Sequence, residues 1–330
     1  MEGISKSQRK ALGKRCSWHT YAEGEQIIDR HDDNRDVYFI VEGQVRIVNY
    51  SLSGREIAFD DLGKGDYFGE LAAIDDGPRS ANVVAQAQTT VAMLGPVAFA
   101  EFLHDHPSVA LKVMKRLTYV VRQASERIMD LSTLGANNRI YAELLRQAMT
   151  SMKSDNSAEI QPIPNHSEIA FDDLRRGDYF GELAAIDDGP RSANVVAQAQ
   201  TTVAMLGPVA FAEFLHDHPS VALKVMRRLT YIVRQASERI MDLSTLGANN
   251  RIYAELLRQA MTSMKPDNSA EIRPIPNHSQ IASRVSTTRE TVARVLSDLA
   301  RDNVVKRGRN ALVIPDIHRL AGMVEEVRGD

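Results

Sequence analysis

A glycine-rich stretch in the first third of the chain carries side chains that could hold a phosphorylated sugar. The stretch runs from Gly65 to Ala81 and reads GDYFGELAAIDDGPRSA. Glycine lets backbone N–H groups approach an anion, and the start of a short helix supplies further donors. Glu70 offers a carboxylate to a sugar hydroxyl, Arg79 can fork onto a phosphate, and Ser80 adds a hydroxyl donor. The alternative is a surface ion pair between Glu70 and Arg79, which the presence of the whole string disfavours.

A second group of candidate residues lies near the C-terminus, where positive charge gathers. The whole chain has a formal net charge of −3, whereas the segment from Arg273 to Asn310 holds eight Lys and Arg residues against three acids. A chain of this net charge does not coat nucleic acid along its whole surface, so any DNA contact must be local.

Within this segment, two short helices joined by a tight turn are predicted at about 279–285 and 288–302. Thr288 is a suitable N-cap, and the apolar positions of the second helix leave three charged residues facing outward: Arg289, Glu290 and Arg294. Arginine can pair with guanine and glutamate can accept from cytosine, so this helix could read the major groove. The alternative is a solvated charged face that an i,i+4 pair supports. A basic hairpin, or wing, follows and contains Lys306, Arg307 and Arg309.

The middle of the chain is duplicated. The segment Glu56–His166 recurs as Glu168–His278, and the two copies differ at six positions. A segment copied almost verbatim is not a solenoid repeat, whose short units drift in sequence. The copy repeats the candidate anion-binding groups as Glu182, Arg191 and Ser192, and removing it leaves 218 residues.

Short strands and long helices should position these groups. Val37–Val41 and Gln44–Val48 flank Gly43 and predict a β-hairpin, and further short strands broken by glycines favour an antiparallel sandwich or jelly roll. Apolar residues then follow a heptad pattern from Ala110 to Leu131 and again from Ala222 to Leu243. Such a seam predicts a dimerisation helix; a helix packed on its own domain is the alternative.

The string from Gly65 to Ala81 resembles the phosphate-binding cassette of cyclic-nucleotide-binding domains. Together with the helix-turn-helix pattern, it makes the chain similar to the Crp/Fnr family, and within it to the cyclic-AMP receptor proteins. The resemblance covers nearly all of the unduplicated sequence. It implies a nucleotide-responsive transcription regulator whose partners are a cyclic nucleotide, a palindromic DNA operator and RNA polymerase. It places ligand contacts on five cassette residues, Gly69, Glu70, Leu71, Arg79 and Ser80.

The family resemblance also concerns which base is bound. Cyclic-AMP receptors carry a Thr-Ser pair on the dimer helix that reaches adenine, and the matching residues here are Ala124 and Ser125. Half of the pair is absent, so cyclic AMP is the expected effector and cyclic GMP stays open; no cofactor is expected. In the second copy the corresponding candidates are Glu182, Arg191, Ser192 and Ser237.

The duplication changes the expected arrangement of domains and of subunits. No second version of residues 1–55 precedes the second cassette, so two copies compete for one set of N-terminal strands, and the adjacent copy should win because it closes shorter loops. We expect a homodimer through at least one seam; pairing of the two seams within one chain is the alternative. A nucleotide-binding protein uncoupled from DNA, acting as a sink or poisoning dimers, is the alternative function.

The expected fold is α+β: an antiparallel jelly roll, a long dimerisation helix, a partial second jelly roll and a C-terminal winged helix-turn-helix. The predicted segments are 1–105, 106–166, 168–217, 218–272 and 273–330. Cys16 is the single cysteine, which argues against a zinc ribbon and against an iron-sulfur cluster. The histidines show no catalytic or metal-binding spacing, so no enzyme is expected. No apolar run suits a signal peptide or membrane span, which predicts a cytoplasmic protein.

Overall fold

Two four-stranded antiparallel sheets form the N-terminal region of the computed structural model, which describes residues 6–51, 54, 56–133, 174, 176–197 and 199–328. The strand orders are β1-β8-β3-β6 and β2-β7-β4-β5. The elements are α1 (Lys6–Arg15), β1 (Ser17–Tyr21), β2 (Gln26–Ile28), β3 (Val37–Glu42), β4 (Gln44–Tyr50), β5 (Glu56–Gly63), β6 (Tyr67–Phe68), α2 (Glu70–Asp75), β7 (Asn82–Ala85), β8 (Thr89–Leu94) and α3 (Pro96–Asp105). The two sheets confirm the predicted antiparallel jelly roll.

The predicted hairpin of β3 with β4 is wrong, although both strands exist. β3 pairs with β6 and β8 in one sheet, and β4 pairs with β5 and β7 in the other. Gly43 lies between them with a φ of 95°, and a Cβ there would stand 2.4 Å from Oγ1 of Thr89. Only glycine permits this turn, and it carries the chain from one sheet to the other.

Two long helices follow the sheets, one from each copy: α4 (Pro107–Thr133) and, later in the chain, α7 (Pro219–Thr245). One hydrophobic core contains Met114, Leu117 and Val121 of α4 together with the corresponding residues of α7, which are Met226, Leu229 and Val233. The seams from which we predicted a homodimer therefore pack against each other within one chain, as in the alternative. The structure of a single chain does not test the predicted homodimer, and these two helices no longer support it.

The second copy does not rebuild the sheets of the first. It retains the cassette helix α5 (Glu182–Asp187) and α6 (Pro208–Asp217), but the described residues between them form no strand. The side chains of Val196 and Met205 are 64% and 93% exposed there. Because the single set of N-terminal strands pairs with the first copy, the prediction that the adjacent copy wins is confirmed.

The C-terminal region is built on α8 (Ala248–Met261) and a small sheet of order β10-β11-β9. The other elements are β9 (Ala270–Ile272), α9 (His278–Arg284), α10 (Arg289–Arg301), β10 (Lys306–Arg307), β11 (Leu312–Ile314) and α11 (Ile317–Arg328). α9, α10 and the hairpin of β10 with β11 confirm the predicted helix-turn-helix and wing. Val292, Val295 and Leu299 of α10 are buried in the core of this region.

By their contacts the described residues fall into two compact units. The first contains 6–50, 54–125 and 176–237, and the second is formed chiefly by 126–133 and 238–328. Residues 134–166 of the predicted segment 106–166 lie outside the described residues, and the predicted segment boundaries stay predictions. No helix in the described ranges is long and apolar enough to cross a membrane.

Candidate functional site

The first cassette, residues 65–81, lies against the sheet that contains β3. β6 pairs with β3 through Tyr38 opposite Phe68, whose stacked rings are 5.0 Å apart. Gly69 then takes a φ of 82°, and a Cβ there would stand 2.7 Å from both the carbonyl oxygen of Asp36 and Nη1 of Arg79. The turn at Gly69 therefore fixes where α2 starts, and Glu70 is its first residue.

Arg79 is the most enclosed of the predicted ligand residues, at 4% exposure. Its Nη1 donates to the carbonyl of Gly69 at 3.0 Å, and its Nη2 donates to the carbonyl of Asp36 at 2.9 Å. The guanidinium also lies over the Tyr38 ring, 5.6 Å from its centroid. Its Nε is buried and has no hydrogen-bond partner among the described residues. The guanidinium is thus held in place while one of its donors has no partner among the described residues.

Burial governs the electrostatics of the cassette. It raises the pKa of Glu70 above its ordinary value, although the charges of Arg116 and Arg79 act against the rise. Burial also lowers the pKa of Arg79 and raises that of Tyr38 to about 12. A cation and a carboxylate that are both short of water gain from a ligand offering a phosphate and hydroxyls.

The remaining predicted contacts of the first site are placed less tightly. Leu71 is half-buried and packs against the core, and Ser80 is half-buried beside Arg79. The hydroxyl of Ser125 donates to the carbonyl of Val121 at 2.8 Å, on its own helix. Ligand contacts of these three side chains stay predictions.

The second cassette, residues 177–193, repeats the turn but not its surroundings. Arg191 donates to the carbonyl of Gly181 at 3.0 Å, as Arg79 does to Gly69, yet Arg191 and Ser192 are exposed. Burial raises the pKa of Glu182, as it does for Glu70. Ser237 is half-buried on α7. The copy therefore retains the ligand groups but encloses its arginine far less.

Several residues at the first site escaped sequence analysis. Asn34 accepts from Nη2 of Arg79 at 3.3 Å, and Asp36 and Tyr38 complete the enclosure. These residues lie more than forty positions before Arg79, and no local pattern signals such a contact. Asp75, which lies within the cassette, forms an ion pair with Arg234 of α7. The only sequence signal for this pair is that both residue types recur in the two copies.

The candidate DNA-reading residues all belong to the second unit. The hydroxyl of Thr288 accepts from the N–H of Thr291 at 3.2 Å, which confirms the predicted N-cap. The charged candidates of α10 and the wing are all exposed; they are Arg289, Glu290, Arg294, Lys306, Arg307 and Arg309. Hydrogen bonds from the start of α10 hold the pKa of Glu290 below its ordinary value, so it is ionised at neutral pH.

Comparison with protein families agrees with both sites. The family described as "Cyclic nucleotide-binding domain" matches residues 18–106 and 157–218. The family described as "Crp-like helix-turn-helix domain" matches residues 250–323. The first match contains both cassettes, and the second contains the candidate DNA-reading residues.

Individual relatives belong to two kinds of protein. The cyclic AMP receptor protein of Thermus thermophilus is 32% identical over 154 residues, which are 47% of this chain and 67% of that protein. A cAMP-dependent protein kinase regulatory subunit of Blastocladiella emersonii is 31% identical over 213 residues, 59% of this chain and 51% of that protein. The chain spans about half the length of these kinase-subunit relatives, at 51%, 58% and 46%.

A solved structure, that of Thermus thermophilus catabolite activator protein, aligns over 99% of this chain and 98% of its own. The identity is 18% and the TM-score is 0.32, too low to place the two chains in one arrangement.

Proposed function

Because this chain belongs to the Crp/Fnr family of regulators, we propose that it is a transcription regulator in which a cyclic nucleotide, bound at the first cassette, controls DNA reading by the helix-turn-helix. The observation that carries the proposal is Arg79, a buried cation with an unpartnered Nε, in the same chain as an exposed basic reading helix. Glu70 would accept from the ribose, and Arg79 and Ser80 would bind the cyclic phosphate.

Cyclic AMP is the proposed effector, and cyclic GMP is the competitor to be tested against it. Ser125 would contact the base from α4, where Ala124 offers no hydroxyl. Gly69 and Leu71 would present backbone N–H groups to the phosphate. The second cassette is proposed to bind weakly or not at all, because Arg191 lacks the enclosure that Asn34 and Tyr38 give Arg79.

DNA is the proposed partner of the second unit. Arg289, Glu290 and Arg294 would read base edges from α10, and the wing cations Lys306, Arg307 and Arg309 would bind phosphates. Each chain has one reader, so one chain would occupy one half of a palindromic operator. The internal pairing of the seams supports a chain that senses the nucleotide by itself. RNA polymerase and a cytoplasmic location are part of the same proposal.

The alternative of an uncoupled nucleotide-binding protein divides into two cases. A protein that poisons dimers needs a free seam, and Leu117 and Leu229 are both buried in one internal core. A nucleotide sink needs only the first site and would bind ligand without any effect on DNA.

Calorimetric titration with cyclic AMP and cyclic GMP, followed by binding-site selection from random duplexes, tests the proposal. We expect one tight site per chain for cyclic AMP and selection of a defined motif when nucleotide is present. Nucleotide binding without motif selection would identify a sink. No binding of either nucleotide would overturn the proposal.

A further inference from the structure

The two cassettes are each clamped by the long helix of the other copy. Arg234 of α7 forms a forked ion pair with Asp75, in which Nε lies 2.6 Å from Oδ2 and Nη2 lies 3.0 Å from Oδ1. Arg122 of α4 makes the same pair with Asp187, at 2.6 and 3.0 Å. Arg122 corresponds to Arg234 in the duplication, and Asp75 corresponds to Asp187. The two clamps are therefore the same contact formed once by each copy.

The clamp on the first cassette acts on the helix that begins at the nucleotide site. α2 has six residues, with Glu70 at its start and Asp75 at its end. Asp75 also accepts from the N–H of Gly77 at 3.0 Å, which fixes its carboxylate. A shift of α2 on ligand binding at Glu70 would move Asp75 directly, because a short helix transmits displacement as a rigid body.

A second arginine strengthens this clamp. Nε of Arg227 donates to the carbonyl of Ile74 at 3.1 Å, at the C-terminal end of α2. Its counterpart in the first copy is Lys115, one of the six positions at which the copies differ. Cations at the end of a helix satisfy its last carbonyls and complement its dipole.

The helix that supplies these arginines is also bonded to the reader. Five residues after Arg234, Arg239 donates to the carbonyl of Arg284, the last residue of α9. Asp242 accepts from Arg258 of α8 at 3.0 Å, and Glu255 accepts from Arg284 at 3.3 Å. Asp242 and Glu255 are buried at 5% and 4% exposure. α7 therefore bonds to the first cassette through Arg234 and, five residues later, to the last residue of α9 through Arg239.

We propose that Arg234 is a positioning residue that couples nucleotide binding at the first cassette to the single DNA reader through α7. The first site thus signals through the helix of the second copy, in addition to the base contact that Ser125 of α4 would make. Arg122 makes an equal clamp, but the cassette it holds leaves Arg191 exposed, so no comparable nucleotide signal starts there. α4 also reaches the reader, through the hydroxyl contact between Ser132 and Ser286, but the forked ion pair on α4 holds the second cassette.

The coupling inference rests on the proposed function and is tested by a coupling factor, the ratio of the DNA dissociation constants without and with saturating cyclic AMP. Arg234→Ala should reduce this factor about fivefold or more, towards one, while Arg122→Ala leaves it at the wild-type value. Asp75→Asn should match Arg234→Ala, and its control is Asp187→Asn. The double variant Asp75→Arg/Arg234→Asp should recover part of the factor. Circular dichroism confirms that each variant is folded, and Arg234→Lys replaces Arg234→Ala if the latter is not.

The outcomes separate the two claims. A wild-type factor of one overturns the proposed function and the coupling with it. A wild-type factor above one that survives in folded Arg234 and Asp75 variants overturns only the coupling. Equal losses in Arg122→Ala and Arg234→Ala overturn it as well, because both clamps would then serve general packing.

Discussion

Arg79 and Arg191 occupy the same position in the two copies, and each donates at 3.0 Å to the carbonyl of the glycine that precedes its cassette helix, Gly69 or Gly181. Among the described residues, Arg79 alone of the two has further partners on Asn34 and Asp36 and a place over the Tyr38 ring. The difference arises from the N-terminal strands, which exist once and are paired with the first copy. Identical local sequence therefore gives one enclosed and one open arginine.

Substitution of the two arginines should give unequal losses of nucleotide affinity. A charge-assisted hydrogen bond contributes about 1.5–3 kcal/mol, so Arg79→Ala should weaken cyclic-AMP binding about tenfold to a hundredfold. Arg191→Ala should leave the dissociation constant close to wild type. Calorimetry on both variants provides the measurement. Equal losses would mean that both cassettes are working sites.

Nucleotide affinity should fall on acidification, and Glu70 should be responsible. An ionised carboxylate is the better acceptor for ribose hydroxyls, and burial raises the pKa of Glu70, so its proton returns at a higher pH than for an exposed glutamate. Binding of the ionised form should also release protons on the acid side of neutrality. Titrations between pH 7 and pH 5 in two buffers of different ionisation enthalpy measure both effects. If Glu70→Gln shows the same pH dependence, another group is responsible.

Substitutions in α10 and in the wing should change DNA binding in different ways. Arg289→Ala should relax base preference at one position of the half-site, at a cost of about 1–3 kcal/mol, because a bidentate base contact is lost. Lys306→Ala should weaken all sequences similarly and reduce the salt dependence, because it removes a phosphate contact. Site selection and salt titration distinguish them. Recovery of an unchanged motif with Arg289→Ala would refute its role as a base reader.

The internal seam should make stability independent of association. Leu229 is fully buried between the two long helices, so Leu229→Ala should lower the free energy of unfolding by about 2–5 kcal/mol, as should Leu117→Ala. The Tm of the wild-type chain should not depend on protein concentration. Light scattering should report a mass near 36.6 kDa. A twofold mass with a concentration-dependent Tm would restore the predicted homodimer.

Local sequence was enough to predict the parts that depend on local chemistry. The cassette turn at Gly69, the N-cap at Thr288 and the wing follow from glycine, hydroxyl and β-branched residues at fixed spacing. Both seams were predicted as well, because heptad spacing defines which face of a helix is buried.

Features that depend on residues far apart in the sequence could not be predicted from these local patterns. β3 and β4 look like a hairpin, but their assignment to different sheets depends on pairing with β8, about fifty residues after β3, and with β7, about forty residues after β4. A heptad seam also does not determine which helix it packs against. α4 and α7 have nearly identical apolar faces, so either could pair within the chain or with a second chain. The enclosure of Arg79 by Asn34 belongs to the same class.

Nucleotide control of a single DNA reader is tested most directly by measuring DNA affinity without and with cyclic AMP. Fluorescence anisotropy on a selected DNA site, at one fixed salt concentration, gives the dissociation constant of the wild-type chain without and with saturating cyclic AMP. We expect the two constants to differ about tenfold or more. Identical constants for a chain that binds cyclic AMP in calorimetry would contradict the account.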